Sequence, residues 1–79
     1  MMTHWNHGTM TLIWEKDGEA YYATVTGPNG EALFRLIVEP FGDLWDWTVW
    51  RPNATPGDTR HGIRGTLQDA MRDGEEAAR

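Results

Sequence analysis

The chain contains no cysteine, no serine, a single lysine and no long apolar run. Without cysteine there is neither a disulfide nor a zinc site built on thiolates. Without serine or cysteine, nucleophilic catalysis by either residue is excluded. Lys16 falls in a turn-forming segment, an exposed setting that does not suit Schiff-base chemistry. Gly57, Gly62 and Gly65 match neither standard phosphate-loop spacing. No enzymatic activity and no cofactor is therefore expected. No stretch approaches the ~20 apolar residues that cross a bilayer, so no membrane association is expected. The opening residues 1–8 have neither a basic nor an apolar signal region, which makes the cytoplasm the expected location.

What the chain does have is tryptophan and negative charge. Its 79 residues leave room for one domain and a modest core. Five tryptophans, each able to bury about 150–250 Å², can compensate for the small size. Seven Lys and Arg against twelve Asp and Glu give a net charge of −5. Direct nucleic-acid binding needs a dense positive surface and is not expected.

Alternation of apolar and polar residues predicts strands over residues 9–15, 20–26, 31–39 and 44–51, after a flexible tail over 1–8. Asp17-Gly18, Asn29-Gly30 and Phe41-Gly42-Asp43 supply the turns. Pro40, which cannot donate to a sheet ladder, is read as closing the third strand. Three tight connections in succession predict an antiparallel meander. Residues 52–65 hold two prolines and three glycines and read as a loop. Thr66 then has the character of a helix N-cap, with Leu67, Ala70 and Met71 at helical spacing over about 66–78. The expected fold is α+β: a three- to four-stranded antiparallel meander sheet packed on one C-terminal helix, in a single domain over 9–79.

One helix covers one face of a sheet. The more apolar face should take it, with Met10, Leu12, Trp14, Tyr21, Ala23, Val25, Phe34, Leu36, Val38, Trp45, Trp47 and Val49. The other face is left with Ile13, Tyr22, Leu33, Ile37, Leu44 and Trp50 among Thr11, Thr24, Arg35, Asp46 and Thr48. Within it Ile13, Tyr22, Leu33, Arg35, Ile37 and Trp50 form the expected patch, aromatic and aliphatic with charge at its margin. Such patches mark interaction sites. The residues thus point to a small non-catalytic protein that binds another protein, or itself as a homodimer, through this face. Two alternatives stand beside it. One is an acidic inhibitor, antitoxin-like, that neutralises a nuclease or a nucleic-acid-binding partner. The other is an anion-binding module in the 52–65 loop, with Arg60, His61 and Arg64 as its contacts.

Further clusters carry less. His4 and His7 have a chelating spacing but no third ligand nearby, so no metal site is expected. Asp43 and Asp46 resemble a catalytic carboxylate pair, yet a meander offers them no cleft.

The strand bearing Trp45, Trp47 and Val49, followed by a Gly-containing loop and an Ala-rich helix, resembles small sheet-plus-helix proteins of phage and proteobacterial genomes. They have no agreed function, so the resemblance implies the sheet-then-helix arrangement over 44–79 and nothing more. The segment Gly65-Thr66-Leu67-Gln68-Asp69-Ala70, continuing to Glu75-Glu76-Ala77, is similar to the strand-to-helix junction of HicB-type antitoxins. Those proteins neutralise a small RNA-cleaving toxin by occupying its surface. This chain lacks the Pro-Gly segment that precedes their junction and carries an extra strand, and no functional family is assigned.

Overall fold

The computed structural model describes residues 4–7, 10–53 and 59–78. The fold is α+β, one antiparallel sheet followed by one helix. The strands are β1 (His4–His7), β2 (Met10–Asp17), β3 (Ala20–Thr26), β4 (Ala32–Phe41), β5 (Leu44–Trp50) and β6 (Arg60–Arg64), and the helix α1 is Leu67–Ala77. They lie side by side in chain order, so the sheet is a pure meander. Five strands form between Met10 and Arg64, and the short β1 brings the sheet to six rather than three to four.

The hairpins are set by local chemistry. Asp17 pairs with Ala20, leaving Gly18 and Glu19 as a two-residue turn. Gly18 has φ +65°, a left-handed conformation that costs glycine nothing, while Glu19 does not. Gly42 repeats the arrangement between Phe41 and Leu44. Pro40 does not end its strand. The pairing of β4 with β3 stops at Val38, so from there β4 has one neighbour and tolerates a residue without an N–H.

Two segments depart from the sequence expectation. Residues 4–7, expected within a flexible tail, pair with β2 as an edge strand, in register from His4 with Ile13 to His7 with Met10. Part of the expected 52–65 loop is β6, paired with β5 from Trp45 with Arg64 to Val49 with Arg60. A Cβ added at Gly62 would lie 2.8 Å from the indole of Trp47. The ring therefore lies across the β6 backbone where any side chain would stand. The buried Trp47 Nε1 has no hydrogen-bond partner among the described residues.

The core lies between the helix and one face of the sheet. Leu12, Trp14, Ala23, Val25, Leu36, Val38 and Val49 from the strands meet Ala70, Met71 and Ala78 from the helical end. Met10, Tyr21, Phe34, Trp45 and Trp47 pack half-buried around them. Thr66 caps α1, its Oγ1 accepting from the Asp69 amide at 3.1 Å. Gly74 lets the helix sit close, since a Cβ there would come 3.3 Å from Leu36 Cδ2. Two polar ties fix its position. Trp14 Nε1 donates to Glu75 Oε2 at 2.7 Å, and Arg64 donates to both oxygens of Asp73 at 2.7 and 2.8 Å. Among the described residues no helix is long and apolar enough to cross a membrane.

Candidate interaction surface

The second face of the sheet has no element packed on it among the described residues, and its composition follows from the strand register. Cross-strand partners share a face, so each rung of the ladder can be read across the sheet. One rung runs Ile13, Thr24, Arg35, Trp50. The next runs Glu15, Tyr22, Ile37, Thr48, His61. A third sets Glu39 beside Asp46 and Asp46 beside Ile63. Ile13 is 61% exposed and Tyr22 42%, while Ile37 and Trp50 are half-buried among their neighbours. An open depression of about 530 Å³ lies over β2 and β3, with Thr11, Ile13, Glu15, Tyr22 and Thr24 in its lining.

Five of the six residues expected in the patch, namely Ile13, Tyr22, Arg35, Ile37 and Trp50, share this face. Leu33 does not join them. The register shifts between Val25 and Thr26, which pair with Phe34 and Ala32. Leu33 is the extra residue of that bulge and packs half-buried against the core cluster. The surface also extends beyond the expected set. Ile63, on β6, sits beside Asp46, and Phe41 pairs at the turn between β4 and β5 with Leu44, a residue already expected on this face, both with large exposed areas. An apolar residue alone in a polar segment, as Ile63 is, was the available signal.

Charge is distributed unevenly over the open face. Glu39 and Asp46 are directly opposed across β4 and β5. Arg35, exposed on β4, makes no ion pair or side-chain hydrogen bond with any described residue. Two arginines of the other face are occupied. Arg51 stacks over the Phe34 ring, and Arg64 reaches Asp69 as well as Asp73. The hydrogen bond that Arg64 donates to Asp73, and then the charge of Asp73, raise the pKa of Arg64 above its ordinary value.

Arg60, His61 and Arg64, the expected anion contacts, are not brought together. Strand alternation puts Arg60 and Arg64 on the helix side of β6 and His61 on the open face. Among the described residues no group of three or more His, Asp or Glu side chains is placed to hold a metal ion. Comparison with protein-family models, with curated proteins and with solved structures finds no match for this chain.

Proposed function

We propose that this protein is a non-catalytic protein-binding module whose contact surface is the open face of the sheet. One observation carries the reading: the same strands that seal a core on one side present Ile13, Tyr22, Ile37 and Trp50 on the other, with no described element over them. An apolar and aromatic centre with a charged margin is the anatomy of a protein interface. Aromatic and arginine side chains are the usual anchors of binding energy, and Trp50 and Arg35 are neighbours on one rung.

Affinity capture tests the reading. Wild type and Gln68→Glu, a change on the exposed side of α1, are expected to retain a common partner, a copy of this chain included. Ile13→Asp and Trp50→Asp, each checked for folding by circular dichroism, are expected to retain about tenfold less, the loss of one interface anchor. Equal retention by wild type and both face variants overturns it.

The paired carboxylates Glu39 and Asp46 favour a second reading, in which the occupant is a basic protein such as a nuclease or a nucleic-acid-binding partner. Binding that weakens steeply with salt would distinguish it. The anion-binding alternative has less support, because Arg60 and His61 lie on opposite faces and Arg64 is engaged by Asp73.

A further inference from the structure

We propose that the occupant of the open face is a second copy of this chain, packed sheet on sheet about a two-fold axis through Ile37. The inference rests on the open face being a binding surface and adds what it binds. On β4, Arg35, Ile37 and Glu39 stand at every second position and so point to one side: cation, aliphatic, carboxylate. A two-fold axis lying between the sheets, across the strands, reverses that order on the facing copy. Arg35 of each copy then meets Glu39 of the other, twice, with Ile37 against its mate between them. On β5 the same operation sets Trp50 of one copy, an indole donor, against Asp46 of the other, a carboxylate acceptor. Two neighbouring strands are thus complementary to their own reversed images, which is what an isologous contact requires.

The isolated chain also gives a reason for this contact to form. Like charges directly opposed across a ladder are destabilising. Glu39 and Asp46 are such a pair, and neither is engaged in an ion pair with any described residue. Arg35, four residues before Glu39 on the same face of β4, is equally unengaged. An arginine from a facing copy relieves the carboxylate pair and finds its own partner in one step. The area is adequate as well. The molecule measures 38 × 30 × 20 Å, and its broad face can supply the about 800 Å² per partner of a standard interface. Sheets that pack face to face keep their strands within about 30° of alignment, which a two-fold across the strands allows. The contact is not ideal throughout, since on β2 the axis brings Glu15 toward its own copy and Ile13 toward Asp17 of the other. That repulsion weakens the association.

Sedimentation equilibrium over a concentration series tests the proposal. Wild type is expected to rise from the 9.0 kDa chain to twice that mass. Arg35→Glu and Glu39→Arg, both changes at exposed positions, are each expected to weaken association about a hundredfold or more, because the two-fold repeats each change and two close charge pairs are lost at the interface. The double exchange Arg35→Glu with Glu39→Arg restores the pairs in reversed sense and is expected to recover most of the affinity. Circular dichroism of each variant separates loss of contact from loss of fold. A wild type that stays monomeric to about 1 mM, the weak limit of specific association, overturns the proposal. So does a dimer indifferent to both single changes, or a double variant no tighter than the singles. None of these results touches the open face as a binding surface, which fails by unchanged partner retention in Ile13→Asp and Trp50→Asp.

Discussion

The two faces of one sheet show how differently identical strands can be used. On the helix side, Val25 and Val38 are fully buried and Leu12, Trp14 and Leu36 are 1% exposed. One residue along from Leu12 or Trp14, on the other side, Ile13 is 61% exposed. The residue types overlap, with aliphatics and aromatics on both faces. Their fates differ because a single helix of 11 residues closes one side and nothing described closes the other. Hydrophobicity alone therefore does not assign a residue to the core. What assigns it is the parity of its position and the face that α1 selects. The helix selects through particular contacts: Gly74 against Leu36, Glu75 with Trp14, and Asp73 with Arg64.

The comparison is most sharply broken by emptying the covered face. Leu36→Ala removes a side chain wedged between neighbouring strands and the close approach of Gly74. The surrounding backbone cannot collapse into the gap, so the expected cost is about 2–5 kcal/mol. Urea unfolding followed by tryptophan fluorescence gives the value. A loss under about 1 kcal/mol, the range of a surface change, would mean that α1 does not seal this face as described.

A smaller effect is expected at the margin of the covered face, where β6 meets Trp47. Gly62→Ala places a methyl group 2.8 Å from the indole, and the ring or the strand must move. Overpacking of this kind costs about 1–3 kcal/mol. Thermal unfolding checks it, with Gly65→Ala as the control, since a Cβ at Gly65 meets nothing within 4 Å. Equal midpoints for the two variants would show that the indole does not lie across β6.

The same contact explains what was legible in the sequence and what was not. The four strands from β2 to β5 announce themselves because each contributes alternate residues to the core, and the turns between them carry glycine at left-handed φ. The helix was equally visible, through Thr66 and the spacing of Leu67, Ala70 and Met71. In β6 the position facing the core is Gly62, and Trp47 of the neighbouring strand fills the space. The information for β6 thus resides in β5, and its own Arg-His-Gly-Ile-Arg run reads as a loop. β1, with four residues, is too short for a period to show. The candidate patch was legible wherever alternation held and failed at Leu33, where a bulge adds a residue and changes the parity. Arg60, His61 and Arg64 looked like a cluster because they are close along the chain. A strand separates such neighbours onto opposite sides, and that could not be seen before the segment was known to be one.

The smallest effect belongs to the residue beside Leu36. Ile37 is the next position on β4, of almost the same size, and faces the other way. Ile37→Thr keeps the β-branched shape that suits a strand and exchanges a partly exposed alkyl group for a smaller polar one. In dilute solution the expected cost is below about 1 kcal/mol, well short of that of Leu36→Ala. Parity alone produces this contrast between adjacent residues. If the open face is buried against a second copy, the two effects respond differently to concentration. Dissociation accompanies unfolding in a dimer, so the penalty at Ile37 should grow as the wild type becomes stabilised by association. The penalty at Leu36 depends on a core complete within one chain and should stay nearly constant. Unfolding both variants at two protein concentrations about a hundredfold apart makes the comparison, since mass action over that range shifts apparent stability by about 2.7 kcal/mol. Equal, concentration-independent penalties at both positions would show that parity does not divide this sheet into a core and a contact surface.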